Sequence, residues 1–461
     1  MATAQTRKIS VLMFPWLAHG HLSPFLELSK KLANRNFHVY FCSTPVNLDS
    51  IKPKLSPEYH FSIQFVELHL PSSPELPSHY HTTNGLPPHL MKTLKKAFDM
   101  ASSSFFNILK TLNPDLLIYD FLQPWAPALA SSLNIPAVNF LCSSMAMSCF
   151  GLNLNKNKEI KFLFPEIYPR DYMEMKLFRV FESSSNQIKD GERAGRCIDQ
   201  SFHVILAKTF RELEGKYIDY VSVKCNKKIV PVGPLVEDTI HEDDEKTMDH
   251  HHHHHDEVIK WLEKKERSTT VFVSFGSEYF LSKEEMEEIA HGLELSKVNF
   301  IWVVRFPKGE KINLEESLPE GYLERIQERG KIVEGWAPQR KILGHSSIGG
   351  FVSHCGWSSI MESMKLGVPI IAMPMNLDQP INSRIVEAAG VGIEVSRNQS
   401  GELEREEMAK TIRKVVVERE GVYVRRKARE MSDVLRKKGE EEIDGVVDEL
   451  VQLCDMKTNY L

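Results

Sequence analysis

The sequence predicts an α/β protein made of two doubly wound domains, each with a parallel sheet between layers of helices. Three observations predict it. The chain has 461 residues, which is long for a single hydrophobic core. Its N-terminal half alternates short apolar strands with helical segments, and the same alternation restarts beyond an acidic, polar stretch near residue 240.

The first half opens with ISVLMF at residues 9–14, a continuous apolar run typical of a strand buried on both faces. A helical pattern, PFLELSKKLANR, follows it. Further strands are predicted at 38–42, 61–68, 115–119, 137–141 and 203–207. Helical segments lie between most of these strands, which predicts a parallel sheet with helices on both faces.

The second half repeats the pattern with strands at 270–275 and 299–304 and in GGFVSH, PIIAMP and GVGIEV. Ser282 is the expected N-cap of the helix between the first two strands. The charged residues from 404 onward are interpreted as amphipathic helix with a solvated face. We expect a first domain over 1–240, a linker over 241–257, a second domain over 258–440 and a helix over 441–461 that packs back on the first domain.

Composition excludes several classes of function. A net charge of −5 provides no basic field for nucleic acid. No apolar run approaches the roughly 18 residues of a membrane span, and the N-terminus reads as a core strand instead of a secretory signal. Seven cysteines without a CxxC pair favour free thiols in a reducing compartment. We therefore expect a cytoplasmic protein. We also expect it to be a monomer.

Six consecutive histidines occupy positions 250–255 in the acidic stretch. They are either a metal-binding tract or an inserted purification tag or loop filler. We favour the second interpretation and leave the run out of the functional argument.

The stretch GGFVSHCGWSSIMES at 349–363 takes a strand into a helix. A helix N-terminus is an anion site, and Ser358, Ser359 and His354 lie beside it. Glu362 follows one turn later, where it could accept from a ribose diol. A merely capped helix with a buried histidine explains the same residues, whereas a zinc site at His354 and Cys355 lacks partner cysteines. The chain has no GxGxxG after a first strand and no P-loop, which disfavours nicotinamide and P-loop enzymes.

The surroundings favour a nucleotide sugar as the ligand. The 44-residue stretch from Trp336 to Gln379 contains an aromatic platform, an anion site, a diol acceptor and an acid–amide pair. This stretch, WAPQRKILGHSSIGGFVSHCGWSSIMESMKLGVPIIAMPMNLDQ, resembles the donor-binding box of plant UDP-dependent glycosyltransferases, glycosyltransferase family 1. The stretches FPWLAHGHLSPFLELSKKL, LIYDFLQPWA, FRELEGKYIDY, VPVGPL and VFVSFGSEYFLSKEEMEEIAHGLE resemble one branch of that family, which adds a sugar to a sugar already on a flavonoid or triterpenoid glycoside.

The resemblance implies a GT-B fold, with two Rossmann-like domains facing each other across a cleft. It also implies roles for individual residues. Trp336 and Ala337 would bind the base of the donor, and Gln339 and Glu362 would bind its ribose. His354 and Ser359 would bind the diphosphate, and Trp357, Asp378 and Gln379 would bind the sugar. Ser277 and Ser143 would reach the phosphate or the sugar from the other side. The family usually has asparagine where this chain has Ser358, which can donate only one hydrogen bond to a phosphate.

The family's catalytic base is a histidine in the loop after the first strand, and both His19 and His21 occur there. The family's Gly-His element before a small residue and proline selects His21. An imidazole with a pKa near ~6.5 can take the proton of an acceptor hydroxyl. Asp120, directly after a strand, matches the partner aspartate that fixes the tautomer. The resemblance implies no metal and no cofactor beyond the UDP-sugar.

Together these residues predict an inverting transfer of glucose from UDP-glucose to a sugar hydroxyl of a plant glycoside, with formation of a β-linked disaccharide. The apolar glycoside would be bound by residues 71–91 and 145–200, which ordinary loop and helix packing explain equally well. Two alternatives stay open: direct glucosylation of an aglycone hydroxyl, and a catalytically silent protein that binds UDP-sugars.

Overall fold

The computed structural model describes residues 8–154, 162–236, 252–307, 312–437 and 439–459. The chain forms two compact units. The first comprises Met1–Asn155, Val180–Leu235 and Lys438–Leu461, and the second comprises Lys156–Arg179 and Val236–Lys437. Residues 156–179 thus group with the second unit, although they precede the boundary expected near 240. The expected linker and its histidine run lie mostly outside the described residues, which resume where a helix begins at His252.

The first unit is built on a seven-stranded parallel sheet with the strand order β3-β2-β1-β4-β5-β8-β9. A short antiparallel pair, β6 and β7, lies outside it. The strands are β1 Ile9–Phe14, β2 Phe37–Ser43, β3 Ile63–Glu67, β4 Leu116–Tyr119, β5 Ala137–Leu141, β6 Ser184–Ser185, β7 Ile188–Lys189, β8 Val204–Ala207 and β9 Lys228–Pro231. The helices up to this point are α1 His19–Ala33, α2 Pro45–Ile51, α3 Met91–Met100, α4 Ser102–Leu112, α5 Trp125–Ser132, α6 Met145–Leu154, α7 Asp171–Glu182, α8 Asp190–Asp199 and α9 Arg211–Cys225.

The second unit is built on a six-stranded parallel sheet with the strand order β12-β11-β10-β13-β14-β15. Its strands are β10 Thr270–Ser274, β11 Asn299–Val304, β12 Gly330–Glu334, β13 Ile348–Ser353, β14 Ile370–Ala372 and β15 Gly392–Glu394. Its helices are α10 His252–Glu263, α11 Lys283–Ser296, α12 Leu314–Ser317, α13 Tyr322–Ile326, α14 Gln339–Leu343, α15 Trp357–Leu366, α16 Gln379–Ala388, α17 Arg405–Val416 and α18 Val422–Lys437. Ser282 caps α11 as predicted, in a reciprocal capping box with Glu285.

The charged C-terminal stretch differs from the single helical pattern read from the sequence, because it forms three helices. The last of them, α19, spans Gly439–Asn459. One face of α19 is solvated, and the other is buried in the core of the first unit through Ile443, Val446, Leu450 and Leu453. Burial of four large aliphatic side chains stabilises this docking far more than the exposed ion pairs beside it.

In both sheets the strands run parallel, so their carboxyl ends share one edge, where ligands bind in open α/β sheets. The loops after β1, β4 and β5 meet at this edge of the first unit, and those after β10, β11, β13 and β14 at this edge of the second. Within the described ranges, no helix combines the length and the apolar character needed to cross a membrane.

Candidate active site

His21 and Asp120 come together at the sheet edge of the first unit. Helix α1 begins at His19, a few residues after β1, and Asp120 follows β4 directly. Because β1 pairs with β4, with Phe14 opposite Tyr119, the two side chains leave neighbouring strand ends. His21 Nδ1 lies 2.7 Å from Asp120 Oδ2, although 99 positions separate the two residues in sequence.

The Asp120 carboxylate is fully buried and accepts three hydrogen bonds. Besides His21, the backbone N–H of Trp16 donates to Oδ2 at 2.9 Å and that of Phe121 donates to Oδ1 at 2.8 Å. An ionised carboxylate can only accept, so His21 Nδ1 carries the proton and Nε2 keeps its lone pair. The ring of Phe121 stacks on the imidazole with centroids 5.2 Å apart. The pair is therefore oriented as a general base requires.

Cys142 is a third neighbour of this pair. Its thiol and the potential ligand atoms of His21 and Asp120 lie within 4.8 Å of one another. Burial, together with the negative charge of Asp120, holds the pKa of the Cys142 thiol well above its usual range. A protonated thiol carries no charge, so Cys142 does not compete with the His21 imidazole for the Asp120 carboxylate.

Ser143, a predicted donor-site residue, lies half-buried between β5 and α6. The start of α6 is fixed by Glu214, whose carboxylate accepts from the backbone N–H groups of Met145 and Ala146 at 3.0 and 2.9 Å. Burial raises the pKa of Glu214 to about 7. The sequence reading missed this buried cap, because Glu214 lies on a different helix nearly seventy positions away.

In the second unit, the turn from β13 to α15 contains the motif that the sequence singled out. Strand β13 ends at Ser353, Gly356 is the N-cap of α15, and Cys355 between them has a φ of +67°. Such a φ is uncommon for a residue other than glycine, asparagine or aspartate. The first-turn N–H groups of α15 have no acceptor within the helix and point out of its N-terminal end, as an anion site requires.

His354 is buried in this turn, and burial, aided by the positive charge of Arg305, lowers its pKa to about 4. The ring is therefore neutral at physiological pH and can stabilise an anion only by donating a hydrogen bond. Two glycines make room for it, since a Cβ on Gly276 or on Gly356 would lie 2.6 or 2.5 Å from His354 Nε2. Ser277, directly after Gly276, lies half-buried in the loop that follows β10.

The residues assigned to the ribose lie on two adjoining helices, and those assigned to the base lie in the loop before the first of them. Gln339, the first residue of α14, donates through Nε2 to Glu362 Oε2 at 2.8 Å and to Ser359 Oγ at 3.3 Å. Trp336, two residues after β12, is 41% exposed, whereas Ala337 is buried. The structure therefore brings Gln339, Ser359 and Glu362 into one hydrogen-bonded group, with a partly exposed indole on the preceding loop.

The other residues of the α15 first turn differ in burial. Trp357 is buried, and Ser358 and Ser359 are half-buried. All three residues belong to the first turn of α15, whose backbone N–H groups have no acceptor within the helix itself.

Gln379 is engaged within its own loop. Its Oε1 accepts from the backbone N–H groups of Met375 and Asn376 at 2.9 and 3.0 Å, and its Nε2 donates to Asn376 Oδ1 at 2.9 Å. Gln379 therefore shapes its own loop, and at most one of its amide N–H groups is left for a sugar hydroxyl.

Asn382 connects the Asp378 loop to the turn before α15. The sequence analysis did not identify this residue. Its buried Nδ2 donates to Asp378 Oδ2 at 2.9 Å and to the backbone carbonyl of Cys355 at 3.0 Å. One amide thus holds both the predicted sugar-facing carboxylate and the strained turn before α15. The spacing of four residues from Asp378 on one helix was the only signal available in the sequence.

Comparison with known proteins covers nearly the whole chain. The model of the family described as "Glycosyltransferase, N-terminal domain" matches residues 7–237, and that of "UDP-glucoronosyl and UDP-glucosyl transferase" matches residues 240–441. The chain is 56% identical to a mogroside IIIx synthase of Siraitia grosvenorii, over 97% of this chain and 94% of that one. It is 50% identical to a beta-D-glucosyl crocetin beta-1,6-glucosyltransferase of Gardenia jasminoides, over 97% and 99% of the two chains.

Among solved structures, the chain is similar to Glycyrrhiza uralensis UGT73P12 complexed with glycyrrhetinic acid 3-O-monoglucuronide. The TM-score is 0.83, the identity is 23%, and 98% of each chain is covered. At this identity the likeness concerns the fold alone, and it confirms the predicted pair of doubly wound α/β domains.

Proposed function

The chain belongs to the UDP-glycosyltransferase family, and from that premise we propose that it transfers glucose from UDP-glucose to a sugar hydroxyl of a plant glycoside, with inversion at C1. The observation that carries the proposal is the contact of 2.7 Å between His21 Nδ1 and the buried carboxylate of Asp120. This contact leaves Nε2 available as a base, which a protein that only binds UDP-sugars does not need.

In the proposed reaction, His21 Nε2 accepts the proton of the acceptor hydroxyl while that oxygen attacks C1 of the glucose. A new C1–O bond forms on one face of the sugar as the C1–O bond to the diphosphate breaks on the other, and UDP leaves as an anion. Asp120 stabilises the imidazolium that forms. Attack from the face opposite the leaving group is what makes the product β-linked.

The donor would be held by the second unit. Trp336 stacks on uracil with Ala337 beneath it, and Gln339 and Glu362 bind the ribose. The backbone N–H groups of α15, Ser358, Ser359 and neutral His354 donate to the diphosphate, with Ser277 and Ser143 as further donors. Asp378, Gln379 and Trp357 face the sugar. These donors stabilise the departing diphosphate, so we propose that transfer requires no metal ion.

The acceptor class is inferred from the relatives. One of them is named as a glucosyltransferase of β-D-glucosyl crocetin, which already carries a sugar. A site that hydrogen-bonds a sugar rejects analogues without it, because its buried polar groups are then left unpaired. We therefore propose that this enzyme extends an existing sugar on an apolar glycoside.

The test compares a panel of mono-glucosides with their aglycones, using UDP-glucose as the donor. We expect kcat/KM on a glucoside to exceed that on its aglycone by about tenfold or more, or ~1.4 kcal/mol. NMR of the product should show a β-linked disaccharide. Attachment of the new glucose to the aglycone would replace the proposal with direct aglycone glucosylation. If the protein binds UDP-glucose but no acceptor causes it to form UDP, it would be a silent binding protein.

We further propose that the enzyme works as a monomer in the cytoplasm. One chain supplies both the base and the donor-site residues, so a partner is not needed to complete either. All seven cysteines lie in the described residues as free thiols, which supports a reducing compartment.

A further inference from the structure

Arg305 directly follows β11, at the sheet edge where the donor-site loops of the second unit lie. Strand β11 pairs with β12 so that Val304 lies opposite Glu334, and the backbone N–H of Gly335 donates to the carbonyl of Val304 at 2.8 Å. Arg305 and Trp336 therefore leave adjacent strand ends side by side. The guanidinium carbon lies over the Trp336 ring, 5.0 Å from its centroid.

Arg305 has no acidic partner among the described residues, in contrast to three other arginines of the same unit. Arg170 pairs with Glu394, Arg325 with Glu294 and Arg405 with Glu288. Arg305 makes no ion pair within the described ranges, and its Nε is buried without a hydrogen-bond partner there. Burial lowers the pKa of Arg305 to about 10, which still leaves it cationic at neutral pH.

A desolvated cation is costly unless something compensates for it. Here the compensation within the described residues is the electron-rich face of an indole, an interaction that strengthens when the cation is desolvated. The same contact restrains a ring that is otherwise 41% exposed. An exposed indole on a loop has rotamer freedom, and a ligand that stacks on it must remove that freedom at a cost in affinity.

We propose that Arg305 is a positioning residue of the donor site: its guanidinium packs on one face of Trp336 and holds the ring so that the opposite face is ready to stack on the base of the nucleotide. The inference rests on the proposed function only for the identity of that base as uracil. In this proposal Arg305 contacts the Trp336 ring and does not bind the phosphates of the nucleotide.

The test measures the affinity of uridine and of UDP by calorimetry for the wild type and for Arg305→Met, which keeps the length of the side chain and removes its charge. We expect both dissociation constants to rise by the same factor, about tenfold. The KM for UDP-glucose should rise with them while kcat changes little. Arg305→Lys should lie between, because an ammonium keeps the cation but loses the planar stacking. Arg325→Met, an exposed arginine of the same unit, is the matched control and should bind as the wild type does.

A double-mutant cycle shows whether the effect passes through the indole. In a Trp336→Ala background, Arg305→Met should change uridine affinity by less than about twofold. If the losses of uridine affinity in Arg305→Met and Trp336→Ala were additive, the inference would be overturned. It would also be overturned if Arg305→Met alone bound uridine as tightly as the wild type does. A loss of UDP affinity with uridine affinity unchanged would overturn it too, since Arg305 would then act on the diphosphate. If Arg305→Met unfolds, the same comparisons are made with Arg305→Lys.

Failure of this inference and failure of the proposed function give different results. Uridine and UDP binding require no acceptor and no transfer. A wild type that binds uridine but transfers no glucose would refute the proposed function and leave the role of Arg305 to be decided by the variants. If the wild type transfers glucose and the Arg305 variants bind uridine and UDP as the wild type does, only the proposed role of Arg305 would be refuted.

Discussion

The catalytic pair of the first unit and two donor-site groups of the second unit differ in whether the chain itself supplies their hydrogen-bond partners. In the first unit, Asp120 accepts three hydrogen bonds from within the chain and orients His21 without any ligand. In the second unit, His354 Nδ1 and Arg305 Nε are buried without partners among the described residues. Buried polar groups are normally paired, so at a candidate donor site these are positions where a ligand can supply a partner. Changes in the first unit should therefore act on the chemical step, and changes in the second on donor affinity.

The largest effect is expected from His21→Ala, which removes the base and leaves the second unit untouched. We expect kcat to fall by roughly 10²–10⁴-fold, the usual contribution of a positioned general base. The dissociation constant for UDP, measured by calorimetry, should stay within about twofold of the wild type. Near wild-type turnover of His21→Ala combined with loss of turnover in His19→Ala would mean that the other histidine is the base.

Asp120→Asn tests whether the internal hydrogen bonds of the pair matter as much as the base. An asparagine has one acceptor oxygen, whereas Asp120 uses two, so the amide must direct an N–H against the backbone donor of Trp16 or of Phe121. We expect kcat to fall by about 10²-fold, because the imidazole loses its fixed tautomer. Thermal unfolding should also shift to lower temperature, since a buried donor is left unpaired. An unchanged kcat would show that His21 is oriented by other contacts.

Gly356→Ala should act on the second unit alone. The added Cβ would lie 2.5 Å from His354 Nε2, so the imidazole must move away from the start of α15. We expect the KM for UDP-glucose to rise about tenfold, the scale of an overpacked buried site, with a smaller change in kcat. Gly195→Ala is the control, because a Cβ there meets nothing within 4 Å. Equal kinetics of the two variants would show that the position of His354 does not govern donor binding.

Asn382→Ala should give the smallest of these effects, since it removes a tether and no presumed ligand contact. Loss of the amide frees both Asp378 and the Cys355 carbonyl, so we expect the KM for UDP-glucose to rise about three- to fivefold and stability to fall by about 1–2 kcal/mol. Asn299→Ala removes a comparable bond to Thr269 at the start of β11 and serves as the control. A rise in KM in both variants would assign the effect to general loosening of the unit.

Much of the fold could be predicted because buried parallel strands are continuous apolar runs of recognisable length. The runs at 9–14 and 299–304 coincide with β1 and β11 to the residue. The sequence reading missed β12, GKIVE, because its glycine and two charged residues interrupt the apolar pattern. It also treated the C-terminal stretch as one helical pattern, although Gly421 is packed against the Lys414 carbonyl, where α17 gives way to α18.

The candidate site could be predicted only in its residue types. His21, Asp120 and His354 were identified because they follow strands at the edge where ligands bind, and because the surrounding motifs resemble a known family. Their orientation was out of reach. The positive φ of Cys355 and the engagement of Gln379 with its own loop depend on contacts between distant segments. Arg305 was also missed, because an arginine at a strand end gives no sign in sequence that it lacks an acidic partner.

The route of the chain between its two units has a consequence for protein engineering. The chain enters the second unit at residue 156, returns to the first at 180, leaves again at 236 and comes back at 438. Chimeras that exchange acceptor and donor halves are most simply made at a single junction near residue 240. Such a junction would separate Arg170 from Glu394 and Glu387, and would give the first half a foreign α19. A working chimera of this enzyme needs four junctions, with residues 156–179 and 438–461 exchanged together with the units that they pack on.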